Sequence, residues 1–337
     1  MKKVVVFGAT GTVGAYACLH LHSLGMQVVA VGHRPSDNGF FQEHGMSYYA
    51  VDISRREGFL QLPQESVFAI VQLAAMLPAR MKGYCPQEYI DINVTGMLNV
   101  LEYAAKICVQ RVVYAQSISD VTHLCGNTTP IGADVESHFP IDNDHSVYSI
   151  TKNAASDLLR HYAHHYGMKY YILRFPNIYL YHPNPYYYVD GVKKMQGYRR
   201  LIYQAMRGET IEVWGNPNRR RDMVYVKDCT QIIGLCLTHE DAASGVYNVG
   251  TGVGVSLDDQ VKGIIQVFSP VDTPSQIVYR PEMGDAPEYV FDVQKTIQEL
   301  GYQPKYMYLD YLRDFKKEME AQTFHQIWGY EDNDLIR

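Results

Sequence analysis

Two periodicities alternate along the first half of the chain. Residues 4–7 are an apolar, β-branched run short enough for a buried parallel strand, and residues 12–24 then carry apolar positions at helical spacing up to Gly25. Further strand patterns fall at 27–31, 48–51, 69–73, 111–115 and 170–175, and helix patterns at 89–106 and 148–166. Strands separated by helices predict an α/β protein with a doubly wound parallel sheet. Ligands of such sheets bind beyond the carboxyl ends of the strands, so candidate chemistry is sought just past each strand.

After Pro176 the pattern gives way to proline, tyrosine and glycine, which predicts a domain boundary. Residues 224–238 and 246–249 read again as a helix and a core strand. The expected organisation is a larger domain made of 1–176 and 223–250, and a smaller, discontinuous α/β domain made of 177–222 and 251–337. Within the latter, 179–188 (YLYHPNPYYY) reads as a loop, its tyrosines either stacking on a ligand or packing under a cap. Residues 311–328 read as a terminal helix docked on the smaller domain.

Gly8, Gly11 and Gly14 stand at three-residue intervals between the first strand and the first helix. In that context Gly8 makes a tight turn, Gly11 lets a pyrophosphate approach the backbone, and Gly14 lets helix and strand pack closely. The pyrophosphate would rest on the free N–H groups and positive dipole end of the helix. Glycines before an ordinary helix are the plain alternative; a strand and a helix where the motif requires them argue against it. The larger domain is therefore expected to be a Rossmann dinucleotide-binding domain.

Composition excludes more than it identifies. A hydrophobic fraction of 47% over 337 residues supports a sizeable core. Net charge is −6 without a long run of like charge, so no nucleic-acid partner is expected. No apolar stretch reaches transmembrane length, Met1-Lys2-Lys3 leads straight into the first strand, and the six cysteines form no CxxC pair. The expectation is a cytoplasmic protein with reduced thiols and no membrane partner. His161, His164 and His165 share a helical face, but no carboxylate or cysteine nearby in sequence completes a set, and no metal is expected.

Tyr148 is the one tyrosine followed four residues later by a lysine, Lys152, and on a helix that spacing puts both on one face. A phenol near its ordinary pKa of about 10 carries protons poorly at neutral pH. A neighbouring ammonium, together with a positive nicotinamide ring, would lower that value and make the phenol usable as acid or base. Ser117, just past the strand at 111–115, could bond the same substrate oxygen, and Asn93 could help hold the lysine or a water. A chance Tyr-Lys pair remains the alternative for this motif alone.

Taken in order, these motifs resemble the extended short-chain dehydrogenase/reductases, the NAD-dependent epimerase/dehydratase group of nucleotide-sugar enzymes. The resemblance runs over nearly the whole chain: GATGTVG (8–14), VQLAA (71–75), INVTGMLNVLEYA (92–104), VVYAQS (112–117), Tyr148 with Lys152, LRFPNIY (173–179), RDMVYVKD (221–228), YNVG (247–250) and YRPEMGD (279–285). It implies that Tyr148 is the proton donor and acceptor, that Lys152 holds the cofactor ribose and tunes the phenol, and that Ser117 polarises the substrate oxygen. It implies a cofactor site made of Gly8, Thr10, Gly11, Thr12, Val13 and Gly14, His33 and Arg34, Asp52 and Ile53, Leu73, Ala74 and Ala75, Asn93, Lys152, Phe175 and Pro176. It implies a substrate site at Asn177, Arg221 and Arg280, the arginines clamping a diphosphate; a structural Arg221–Asp222 ion pair is the competing account. Many members are homodimers, which the resemblance extends to helices 93–106 and 148–166 through Leu98, Leu101, Leu158 and Leu159.

The departures sharpen these expectations. Phe7 and Gln72 replace the threonine and histidine common in the group, Leu180 and Tyr181 replace a glycine and a proline, and Glu282 and Met283 split the RPGD pattern. Ser117-Ile118-Ser119 lacks the Thr-Asp-Glu triplet of the dehydratases, so epimerisation or reduction ranks above dehydration. The second strand ends in Gly32-His33-Arg34, with no acid until Asp37. An acid there would repel a 2′-phosphate, whereas Arg34 can pair with one, so NADP is expected over NAD. The expected function is an NAD(P)-dependent oxidoreductase or epimerase acting on a nucleotide-activated sugar. The alternatives are an NADPH-dependent reductase of a small carbonyl compound and a non-catalytic dinucleotide sensor.

Overall fold

The computed structural model describes residues 1–143, 146–189 and 191–331. Seven strands form one fully parallel sheet: β1 (Lys3–Phe7), β2 (Gln27–Gly32), β3 (Ser47–Ala50), β4 (Val67–Gln72), β5 (Arg111–Ser117), β6 (Lys169–Phe175) and β7 (Gly245–Asn248). Their order is β7-β6-β5-β4-β1-β2-β3, the doubly wound arrangement whose reversal point lies between β1 and β4. The late strand β7 adds to the edge beside β6, in register Gly245↔Tyr171 to Asn248↔Arg174. The chain thus returns to its first sheet after an excursion of about seventy residues.

Both sheet faces are buried because the strands are apolar on both sides: Val4, Val6, Ala69, Val71 and Val113 enter one core, while Val5, Phe7, Ile70 and Val112 enter the other. Helix α1 (Thr12–Ser23) packs with the helix Val226–Thr238 over the first core. Gly234 makes that crossing close: a Cβ there would stand 2.9 Å from Leu24 Cδ1. The second core is covered by α2 (Gly96–Lys106) and α3 (Ser146–Tyr166). The expected helix 89–106 is continuous but changes gauge, with π-type winding over Ile90–Thr95.

The remaining chain forms a cap of short pieces. Val224–Tyr225 pairs with Ile178–Tyr179, Arg220–Asp222 with Gly254–Ser256, and Ile211–Trp214 with Ile277–Arg280. The tract expected as a loop over 179–188 instead opens and closes in strands, because Tyr186–Val189 folds back on Val192–Met195 as an antiparallel hairpin. Tyr179 and Tyr181 are buried there, the packing alternative of the two. Among the described residues no helix is long and apolar enough to cross a membrane.

Candidate functional site

The glycine loop follows β1 at the reversal point. Gly8 has φ +81°, and a Cβ on it would lie 2.7 Å from the Ala74 nitrogen after β4. A Cβ on Gly14 would lie 2.0 Å from the Gly8 carbonyl oxygen, so helix and turn meet backbone to backbone. Gly11 differs: its only near neighbour is that same carbonyl, at 3.0 Å, and its outer side is open. A turn, a close packing and an open approach are the three demands of a pyrophosphate on a helix N-terminus, and α1 carries no side-chain cap. The residues fit a dinucleotide.

The other residues implied for the cofactor gather along the same edge of the sheet. His33 and Arg34 follow β2, Asp52 and Ile53 lie past β3, Leu73–75 follow β4, and Phe175 ends β6. Ile53 turns inward against α2, where a Cβ on Gly96 would come within 2.7 Å of its Cδ1; Asp52 stays at the surface, bonded to Ser54 at 2.7 Å. Arg34 donates to the Ile327 carbonyl from the far end of the chain. Sequence reading did not single out Arg80, in the loop after β4. Partial burial and then the charge of Arg34 lower its pKa, and neither guanidinium has a carboxylate partner among the described residues. Such a pair favours an anion between or beside them.

The Ser-Tyr-Lys set is brought together by β5 and α3. Tyr148 and Lys152 lie on the inner face of α3, 7% and 3% exposed. Burial pushes the Tyr148 phenol up to about 12, while a hydrogen bond from the Ser117 side chain pulls it down. Burial pushes Lys152 down to about 7. Its Nζ donates to the Ala115 carbonyl at 2.5 Å and sits 4.3 Å from the centre of the Tyr114 ring. Beneath them Gln116 Nε2 donates to Ser156 Oγ at 3.0 Å, tying the strand end to the helix.

Asn93 does not reach the lysine. The π-type turn aims it sideways, where its amide accepts from Met76 N at 2.8 Å and donates to Thr151 Oγ1 at 3.1 Å. It fastens the loop after β4 to α3. A second fastening is Arg174, on β6: its Nε donates to both carboxylate oxygens of Asp120, at 2.9 and 3.0 Å, and its Nη1 reaches the Ala133 carbonyl and Asn248 Oδ1. Both partners are buried. This pair fixes the segment that carries Ser117.

Of the three residues implied for substrate, Asn177 is exposed just past β6 and Arg221 is half-buried on the strand Arg220–Asp222. The competing Arg221–Asp222 ion pair is absent. Asp222 is fully buried and accepts from Thr251 N and Oγ1 at 2.8 Å each and from Gly252 N at 3.1 Å. The adjacent Gly250 must be glycine, since a Cβ there would stand 2.4 Å from Asp222 Oδ2. Arg221 lies over the Tyr289 ring at 5.8 Å and gives Nε to the Pro287 carbonyl, with no carboxylate partner among the described residues. Arg280 is placed differently: it is exposed and paired with Glu212 at 3.1 Å. The split RPEMGD stretch accounts for this, because Asp285 turns back to bond Arg219 and Asn216 N.

A groove of about 680 Å³ lies elsewhere, beside α3 and the edge strand β7. Among its charged walls Arg160 pairs with Asp157 and Lys295 with Asp134, and none of the site residues except those fastening Ser117 enter it. No cluster of metal-ligating side chains occurs among the described residues.

A family model described as "NAD dependent epimerase/dehydratase family" matches residues 4–250. The chain is 24% identical to a UDP-glucose 4-epimerase of Bacillus subtilis, covering 90% of this chain and 92% of the relative. It is 24% identical to a putative UDP-glucose 4-epimerase of Methanocaldococcus jannaschii, covering 90% and 93%. In structure it resembles the UDP-glucose 4-epimerase of Thermotoga maritima solved with UDP-glucose, with TM-score 0.74 and 23% identity over 94% of this chain and 99% of that one.

Proposed function

This chain belongs to the NAD dependent epimerase/dehydratase family, and we propose that it is a nucleotide-sugar epimerase that works through Ser117, Tyr148 and Lys152. The observation that carries the proposal is the placing of a buried Tyr-Lys pair and a serine beside an open glycine cradle. The glycine loop, Lys152 and the residues past β2 to β4 would hold a nicotinamide dinucleotide, which supplies hydride chemistry when bound. Tyr148 Oη takes the proton from a substrate hydroxyl and returns it when the carbonyl is reduced again. Ser117 Oγ holds the same substrate oxygen in line with the phenol. The Ser117 hydrogen bond counters the burial that raises the phenol, and a protonated Lys152 one helical turn away would add positive charge on the same face. Burial moves the two groups in opposite directions, the phenol up to about 12 and the lysine down to about 7.

Arg221 is the residue that favours a nucleotide-linked substrate over a small uncharged carbonyl compound. A half-buried guanidinium without a carboxylate is suited to a diphosphate. Asn177 and Arg280 complete the proposed substrate site, Arg280 after leaving Glu212. NADP is the proposed dinucleotide: no acid ends β2, and Arg34 and Arg80 together supply positive charge at that end. Solved neighbours of this fold include a Thermus thermophilus UDP-glucose 4-epimerase in complex with NAD, so the choice is a test of those two arginines. A homodimer is proposed through α2 and α3; Leu101 and Leu159 are buried against the sheet, which leaves exposed Leu98, Ile90 and Ile150 for the contact.

The direct experiment incubates the protein and either dinucleotide with UDP-, GDP- and dTDP-linked hexoses and follows epimer formation by NMR. Conversion of one nucleotide sugar into its epimer supports the proposal. Turnover of free aldehydes or ketones alone, with no nucleotide sugar changed, would replace it with the reductase reading.

A further inference from the structure

The last described turns of the chain do not stay on the cap. Past the terminal helix Tyr308–Ala321 the chain crosses back over the nucleotide half. Trp328 Nε1 donates to the Thr10 carbonyl at 3.0 Å, inside the glycine loop. Arg34 donates to the Ile327 carbonyl, and Asn38 Nδ2 donates to the Gln326 carbonyl at 2.6 Å. Thr10 lies in the loop after β1, read as the pyrophosphate cradle, and Arg34 follows β2, whose end faces the adenosine ribose of a dinucleotide in this fold.

This crossing is held at both ends and packed in the middle. At one end Gln322 sits in the left-handed region, φ +46°, where the helix stops. At the other, Gly329 has φ +79° and ψ 179°, a conformation open essentially to glycine alone. Glu331 then inserts its carboxylate among Arg199, Tyr203 and Tyr181, the last at 3.2 Å; Arg199 is fully buried. Between these ends Trp328 packs against Phe324 at 4.5 Å and His182 at 4.6 Å. Burial and then the charge of Arg80 push His182 down to about 3, so it offers Trp328 an uncharged ring.

We propose that residues 322–331 are a strap over the adenosine end of the dinucleotide site, with Trp328 as its latch and Glu331 as its anchor. Lifting the middle of the strap sets how fast the dinucleotide leaves. The latch uses part-buried and exposed hydrogen bonds to backbone carbonyls, which open locally at lower cost than the anchor, a fully buried charge pair. Trp328 is thus a positioning residue acting through Thr10. The proposal rests on the dinucleotide reading of the glycine loop.

The test measures release of NADPH or NADH from the full-length protein by stopped-flow fluorescence, chasing with excess oxidised dinucleotide. Trp328→Phe keeps a ring and loses the N–H, and is expected to speed release by roughly fivefold; Trp328→Ala is expected to speed it by roughly ten- to a hundredfold. A melting temperature of the dinucleotide-free protein is taken for each variant, since a merely structural tryptophan would lower it without altering release from the folded fraction. Wild-type release rates in both variants overturn the strap while leaving the dinucleotide reading intact. Failure of the wild type to bind either dinucleotide overturns that reading, and the strap with it.

Discussion

Tyr148 and Arg221 are held in place by contrasting means. Tyr148 sits on a 21-residue helix whose inner face is buried against the sheet, and its lysine is delivered by helical spacing. Arg221 sits on a three-residue strand, fixed by Asp222, Thr251, Gly252 and Tyr289, partners that are 29 or more residues away from Asp222. The sheet half positions chemistry through periodic elements; the cap positions it through buried polar groups that each tie several segments together. A helix face tolerates substitution around its functional residue, whereas a cap built on single carboxylates has few redundant contacts. Errors in the first cost turnover, and errors in the second cost geometry.

The sharpest way to break this contrast is Tyr148→Phe. It should lower turnover by about a hundred- to ten-thousandfold while dinucleotide affinity and melting temperature stay near wild type, because a single proton carrier is removed from an intact helix. Steady-state rates on the true substrate with a binding titration check it, and near-full activity would end the assigned role.

Arg174→Met probes the buried ion pair inside the sheet half. It strands the Asp120 carboxylate in the interior, and a loss of roughly 3–5 kcal/mol in denaturant unfolding is expected. A loss near zero would mean that the segment carrying Ser117 is held by other contacts.

In the cap, Arg221→Ala should weaken nucleotide-sugar binding by roughly ten- to a hundredfold with little change in dinucleotide affinity. Arg280→Ala should cost less, a few-fold at most, because Arg280 must first leave Glu212 and is exposed. Titration calorimetry with UDP-, GDP- and dTDP-linked ligands separates the two. Equal losses for both arginines would place Arg280 as deep in the site as Arg221.

The smallest effect concerns Lys152 in the dinucleotide-free protein. Its folded value of about 7 lies below the ordinary 10.5. Between those values the unfolded chain binds a proton that the folded chain does not, so stability rises with pH through that window; below about 7 the cost is present in full. The difference in melting temperature between wild type and Lys152→Met should therefore shift in favour of wild type from pH 7 to pH 10. A difference that is flat over this range would mean that Lys152 stays charged in the fold.

What could be read from the chain follows the same division. The apolar runs and helical spacings of the first 175 residues determined the sheet, and Gly8, Gly11 and Gly14 were assigned a turn, an open approach and a close packing that the backbone of the loop displays. The return of residues 246–249 to the first sheet was legible because a core strand buried on both faces has few other places to go. Local pattern failed at 186–195, where polar and aromatic residues pair as a hairpin only because the partner strand is present. Nor could it show the change of helical winding that sets the direction of Asn93, or the pairing of Arg280 with Glu212 on a strand 68 residues earlier. Arg80, Arg199 and Trp328 carry no local signature at all. Their meaning depends on which distant carbonyls and charges surround them, and loop closure over hundreds of residues is decided by the sum of the packing, not by any window of sequence. The sequence alone determined the sheet, the glycine cradle and the Tyr-Lys face, because each follows from short periods and backbone sterics. Tertiary structure alone decided which guanidiniums stay without a carboxylate among the described residues and where residues 322–331 come to rest, because burial and long-range pairing have no period to read.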